Sequence, residues 1–278
     1  MGEGERQRAG GHAGIRPQLV AIDFDGTMLR SDQTISPRTA AAVRAATEAG
    51  IHVVVVTGRP PRWLTPIADL LDHHGTAIAA NGALVVDLST LEILDIRHVD
   101  VAAAATVIER LRASFPDMAF GVERADGFAH ERAYPRGVRR SERMPQVAYA
   151  DTLDELLSEP PVKILGSVSS MSIDDAAQQA VDVLDGLVNV WFSGAHLLEI
   201  SPAGVSKAST LERVAAEWQI SSADVVAIGD MPNDIPMIEW AGHGVAVANA
   251  HPLVRAAADH LTASNDDDGV AQEIERLL

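Results

Sequence analysis

Residues 18 to 59 constrain the fold most, because two apolar runs flank a capped helix and each run stops on chemically active side chains. Residues 18 to 23 read Gln-Leu-Val-Ala-Ile-Asp, a buried strand that delivers Asp23 at its carboxyl end. Ser36-Pro37 offers a helix cap with proline at the first helical position, and the Ala-rich residues 39 to 49 run out at Gly50. Residues 51 to 56 are a second strand, rich in valine and closing on Thr57-Gly58-Arg59. A strand, helix, strand crossover sets its two strands parallel. The expected fold is therefore α/β, with a Rossmann-like parallel sheet core flanked by helices.

The alternation continues through a helix over residues 62 to 72, a strand over 76 to 80 and the turn Asn81-Gly82. It then changes character. Between residues 85 and 194, short strands (83 to 87, 162 to 168, 188 to 192) interleave with helices over 101 to 114 and 174 to 187. Residues 123 to 143 show no clear period and read as loops with one short strand. The core pattern resumes at Leu197, with strands over 197 to 200, 224 to 228 and 245 to 248 and helices over 207 to 219 and 270 to 278. These shifts divide the chain into a flexible tail (1 to 17), a core (18 to 84 and 195 to 278) and an inserted α+β module (85 to 194).

Composition narrows the chemistry. A net charge of −17 would repel a phosphate backbone, so no nucleic-acid partner is expected. There is no cysteine, which excludes disulfides, thiolate metal sites and thiol nucleophiles. Residues 1 to 17 lack the apolar core of a secretory signal, and no apolar run nears the ~20 residues that span a bilayer. The expectation is a cytoplasmic protein without a membrane partner, either monomer or homodimer.

Asp23, Thr57 and Asp230 each follow a buried strand, and the carboxyl ends of parallel strands share the edge where open α/β sheets bind ligands. Asp23-Phe24-Asp25-Gly26-Thr27 sets two acids two residues apart, and Gly229-Asp230-Met231-Pro232-Asn233-Asp234 brings two more. Each could be a solvated turn or a helix cap on its own. Gathered on one edge they repel one another, and a hard divalent cation, Mg²⁺ above all, relieves that repulsion through oxygen ligands. Lysine is scarce here, with only Lys163 and Lys207 in the chain. Lys207 opens a helix, where the macrodipole disfavours a cation, so an anion nearby is the alternative to a plain surface lysine.

With those residues assembled, the chain resembles the haloacid dehalogenase superfamily, and within it the Cof-type phosphatases with a large inserted cap. Asp23-Phe24-Asp25-Gly26-Thr27, Thr57-Gly58-Arg59, Lys207 within Ser-Pro-Ala-Gly-Val-Ser-Lys, and Gly229-Asp230 with Asn233-Asp234 match the four family motifs in order. Asn81-Gly82-Ala83 and residues 244 to 249 also look like family signatures. The resemblance implies that Asp23 is the nucleophile, Asp25 the general acid and base, and Thr57 and Lys207 phosphoryl-binding catalytic groups. It implies a Mg²⁺ site made of Asp23, the Asp25 backbone carbonyl, Asp230 and Asp234. Gly58, Arg59, Asn81, Gly82 and Asn233 are the implied substrate-binding residues, with Arg59 equally readable as a surface helix-start residue.

The implied reaction is hydrolysis of a small phosphorylated metabolite through an aspartyl phosphate, sugar phosphates being the leading class. A phosphomutase and a non-catalytic metabolite-binding module are the alternatives. In the middle module Glu123, His130, Arg132, Arg136, Arg139, Arg140 and Arg143 read either as contacts to a leaving group or as loop-solubilising residues, the second reading being favoured. His73 and His74 diverge and offer no metal spacing.

Overall fold

The computed structural model describes residues 16–71, 75–135, 147–192 and 196–278. Most of the anticipated tail, His73-His74, Arg136, Arg139, Arg140 and Arg143 lie outside the described residues, as does the joint anticipated at 194/195.

The first sheet is built from β1 (Leu19–Asp23), β2 (His52–Val56), β3 (Thr76–Ala79), β4 (Leu84–Asp87) and β5 (Ile93–Ile96). The second holds β6 (Ala119–Glu123), β7 (Phe128–Glu131), β8 (Val147–Ala150), β9 (Lys163–Ser167), β10 (Val188–Phe192) and β11 (Leu197–Pro202). The chain then returns to the first sheet with β12 (Val225–Gly229), β13 (His243–Ala246) and β14 (His260–Leu261). The strand orders are β14-β13-β12-β1-β2-β3-β4-β5 and β10-β11-β9-β6-β7-β8.

β1 lies between β12 and β2, parallel to both, with Val20 beside Val226 on one side and Val53 on the other. Val20, Val53 and Val226 are buried, as a doubly covered parallel sheet requires. β4 and β5 close one edge as antiparallel strands.

The first helix of the first layer starts where the sequence supplies a cap. In α1 (Pro37–Glu48), Ser36 accepts from the Thr39 N–H and Pro37 takes a position that needs no donor. The short α2 (Thr65–Leu70) follows β2. In the second layer α3 (Val101–Ser114) and α5 (Ile173–Leu184), capped by Asp100 and Ser172, pack together over one sheet face, and α4 (Leu153–Leu156) follows β8. Their apolar residues form a separate core around Val107, Ile108, Phe120 and Ile164. α6 (Lys207–Glu217), α7 (Ile235–Trp240), α8 (Pro252–Ala257) and α9 (Gly269–Leu277) complete the chain, α9 packing on α1 and α6 on α7. Among the described residues no helix is long and apolar enough to cross a membrane.

Two strands pair in a sheet other than the one expected from their place in the sequence. β5 falls after residue 84 yet pairs with β4 in the first sheet. β11, which the sequence reading gave to the core, runs antiparallel between β9 and β10 in the second. The physical reason is that a buried Leu-Leu-Glu-Ile run shows the same local pattern in either sheet, and only its distant partner decides.

Candidate active site

Three adjacent strands, β2, β1 and β12, end side by side, and the turns that follow them carry Thr57, Asp23 with Asp25, and Asp230 with Asp234. Carboxylate oxygens of Asp23, Asp230 and Asp234 lie within 4.8 Å of one another, all three residues buried. Lys207 Nζ donates to Asp23 Oδ1 and to Asp234 Oδ1, each at 2.6 Å. That ammonium sits at the first position of α6 because Ser206 caps the helix in a reciprocal pair with Ser209. The two carboxylates supply the anions that offset the unfavourable helix end.

The turns are stitched to each other. Thr27 Oγ1 donates to Asp230 Oδ1 at 3.0 Å, and Asp234 Oδ2 accepts from the Asp230 and Met231 N–H groups at 3.1 and 3.0 Å. Asn249 Nδ2 donates to the Gly26 carbonyl at 2.8 Å. Gly26 has φ of 83°, a conformation that favours glycine, and a Cβ there would stand 2.5 Å from Asp230 Oδ2. Close approach of two acidic turns therefore depends on that missing side chain.

The electrostatics follow from burial. Desolvation, then the Asp234 charge, pushes the Asp23 carboxyl well above the usual carboxylate range, and Lys207 offsets part of the rise. The same two causes push Asp230 up to about 7. Burial works against the Lys207 charge, yet Asp23 and Asp234 together hold its pKa above the ordinary lysine value. The cluster is short of positive charge: three carboxylates face one ammonium.

Asp25 stands apart from the three. Its carboxylate is half exposed and paired with Arg59, whose Nη2 lies 2.6 Å from Oδ1 and whose guanidinium lies over the Phe24 ring. Thr57 Oγ1 reaches Asp25 Oδ2 at 3.4 Å and accepts from the Arg59 N–H at 3.0 Å. Asn233 Nδ2 donates to Asn81 Oδ1 at 3.3 Å. Asn81 and its neighbours Ala80 and Gly82 all have positive φ (58°, 50° and 103°), and Gly82 lies against the Ser206 backbone, so the turn after β3 is held tight to the start of α6. Gly58 lies beside Asn81 and Glu199.

Among the residues anticipated from sequence, the structure thus brings Asp23, Asp230, Asp234 and Lys207 into one cluster. It gathers Asp25, Thr57 and Arg59 into a second group, and Gly58, Asn81 and Asn233 into a third. Thr27 was legible within the first motif but not singled out. Lys163 and Glu199, which bond each other beside Gly58, were missed as well. The scarcity of lysine that drew attention to Lys207 applies equally to Lys163. In the middle module, Glu123 forms a buried ion pair with Arg62, and His130 lies among Phe128, Tyr134 and Tyr149. Arg132 pairs with Asp151 on the surface.

Comparison with known proteins bears on this arrangement. The model of the haloacid dehalogenase-like hydrolases matches residues 20–274. A 5-amino-6-(5-phospho-D-ribitylamino)uracil phosphatase of Bacillus subtilis is 30% identical over 285 residues, covering 94% of this chain and 98% of that protein. A phosphoglycolate phosphatase of Methanothermobacter thermautotrophicus is 28% identical over 261 residues, covering 94% and 99%. The solved structure of a haloacid dehalogenase-like hydrolase of Bacillus subtilis superposes with a TM-score of 0.81 at 26% identity, covering 94% of this chain and 100% of that one. With a family model spanning nearly its whole length, the chain belongs to the haloacid dehalogenase-like hydrolases, as a phosphatase of the Cof type.

Proposed function

We propose that this phosphatase hydrolyses small phosphorylated metabolites in a Mg²⁺-dependent reaction that passes through an aspartyl phosphate on Asp23. The observation that carries the reading is the buried cluster of Asp23, Asp230 and Asp234 around the Lys207 ammonium. Three carboxylates against one ammonium leave a formal charge of two negatives, and every available donor is a hard oxygen. That set fits Mg²⁺, which takes few carboxylates, keeps waters and bridges to phosphate. Asp23, Asp230 and Asp234 would hold it with the Asp25 backbone carbonyl, and when bound it neutralises phosphoryl oxygen charge.

The chain's own groups account for the remaining chemistry. An Asp23 carboxylate oxygen forms the bond to phosphorus as the ester oxygen leaves, and Asp25 delivers the proton that the departing alkoxide needs. Asp25 then takes a proton from the water that attacks the acyl phosphate, returning Asp23 and releasing inorganic phosphate. Lys207 and the Thr57 hydroxyl hold phosphoryl oxygens. Arg59 keeps Asp25 in place at the mouth of the site, and Gly58, Asn81, Gly82 and Asn233 shape its wall. The layer from β6 to β11 supplies the cap that covers the leaving group.

Sugar and polyol phosphates are the proposed substrate class, consistent with a relative named for a ribityl phosphate substrate. The test is release of inorganic phosphate from p-nitrophenyl phosphate with Mg²⁺ and with EDTA, followed by a panel of phosphorylated metabolites. Absence of Mg²⁺-dependent phosphate release sinks the proposal, and an isomerised phosphoester in place of free phosphate identifies a mutase instead.

A further inference from the structure

The chain has two lysines, and both are buried and ion-paired, Lys207 with two carboxylates and Lys163 with Glu199. Lys207 belongs to the site. Lys163 stands on β9, where its Nζ donates to Glu199 Oε2 at 3.0 Å and to the Gly58 carbonyl at 2.7 Å. Its exposure is 0%. Glu199 stands on the neighbouring strand β11, and Glu123, the partner of Arg62, pairs in register with Lys163 on the other side. A buried ion pair generally holds a fold no better than an apolar pair of the same volume. Stability alone therefore does not explain an ammonium at a position where the second sheet meets the Thr57-Gly58-Arg59 turn.

The hydrogen bonds leading away from this pair run in one direction only. A carboxylate accepts and cannot donate. Asn81 must therefore present its Nδ2 to Glu199, which turns its oxygen toward Asn233. That oxygen can only accept, so Asn233 presents its own Nδ2 to it at 3.3 Å. One N–H of the Asn233 amide is thereby engaged, which fixes the orientation of the carboxamide, and its Oδ1 is left buried with no hydrogen-bond partner among the described residues. Asn233 directly precedes Asp234, so the free oxygen belongs to the turn that builds the acidic cluster. The left-handed backbone of Ala80 and Asn81 fixes the link in the middle of the relay.

We propose that Lys163 and Glu199 are positioning residues: acting through Asn81, they lock the Asn233 carboxamide with its oxygen free, so that Asn233 offers a bound ligand a hydrogen-bond acceptor. The role rests on the phosphatase reading of the site. It also means that strands of the second sheet set the polarity of a side chain in the first.

The relay can be reversed on paper, and that supplies the test. Lys163 and Asn81 both donate to Glu199 Oε2, so in Glu199→Gln the carboxamide must turn for its oxygen to accept from Lys163 while its nitrogen donates to Asn81, which flips Asn81 and deprives Asn233 of its acceptor. The variant is expected to lose about tenfold in kcat/KM on p-nitrophenyl phosphate, with Tm within about 4 °C of the parent. Asn233→Asp sets two acceptors against each other and is expected to lose more, about a hundredfold. The double variant Glu199→Gln/Asn233→Asp restores a fully paired relay of opposite direction with an acceptor again facing outward. It is expected to recover to within about tenfold of the parent, a strongly non-multiplicative result. The side-chain amide signals of Asn233 in ¹⁵N–¹H spectra should shift in Glu199→Gln, a readout independent of turnover. Unmoved amide signals, or losses that simply multiply in the double variant, overturn the proposal. A parent protein without Mg²⁺-dependent turnover refutes the phosphatase reading instead, and the amide spectra then decide the relay alone.

Discussion

Thr27 Oγ1 donates to Asp230 Oδ1 across 203 residues of sequence, and this one bond joins the acidic turn after β1 to the acidic turn after β12. Gly26 lies directly beneath it. Gly26→Ala would set a methyl group against Asp230 on a backbone with positive φ, so both the turn and the cluster must shift. The expected loss is about 1–3 kcal/mol of stability from local strain together with at least a tenfold fall in kcat/KM. Thermal melts and steady-state kinetics on p-nitrophenyl phosphate measure both.

Asp23→Asn keeps the shape of the side chain and removes the proposed nucleophile. Turnover should fall by about 10⁴-fold or more, because the proposed acyl phosphate forms on the Asp23 carboxylate and a carboxamide cannot replace it. Near-UV circular dichroism should match the parent. Mass spectrometry of acid-quenched samples should find an adduct of one phosphate on the parent and none on the variant.

The pH dependence of Asp230 has a definite sign. Its carboxyl is raised to about 7 in the folded protein, against an unfolded value of roughly 4. The buried charge is a full penalty above pH 7, and it is relieved as the pH falls from about 7 towards about 4. In EDTA, Asp230→Asn should therefore melt several degrees above the parent at pH 8, with the difference vanishing near pH 4. Mg²⁺ should raise the parent's Tm and leave the variant's nearly unchanged, since an ion that binds only the folded state stabilises it by mass action.

Lys207→Met leaves Asp23, Asp230 and Asp234 without their ammonium. Removing one partner of a buried pair typically loses about 3–5 kcal/mol. The metal-free variant should melt well below the parent at pH 8, and Mg²⁺ should recover a larger part of its Tm than it adds to the parent. Turnover should be absent in both conditions. A variant as stable as the parent without Mg²⁺ would show that the ammonium does not carry the cluster's charge balance.

Much of the core was legible because its signals are local. Ser36-Pro37, the valine run of β2 and the turn Gly229-Asp230 each announce an element within a few residues, and β1, α1, β2 and β12 stand within two residues of their anticipated ends. α7 and α8 were not anticipated, since six residues are too few to show a helical period. The sheet to which β11 belongs could not be read, because strand pairing is non-local. Asp23, Asp230 and Lys207 were legible through their places at strand and helix ends. Lys163 opens β9 and Glu199 sits within β11, both among apolar neighbours in sequence, and nothing along the sequence says that a glutamate in Leu-Leu-Glu-Ile and a lysine in Val-Lys-Ile meet.

Both lysine side chains are sequestered, so the permanent positive side-chain charge on the surface of this protein is borne by arginine alone. Its folded form offers acylating reagents, amine crosslinkers and lysine-modifying enzymes no side-chain amine. Labelling at Lys163 or Lys207 by such a reagent would therefore report an opening of the molecule rather than the chemistry of its exterior, and at Lys163, which reaches from β9 to the Gly58 carbonyl, it would gauge how often the two layers part.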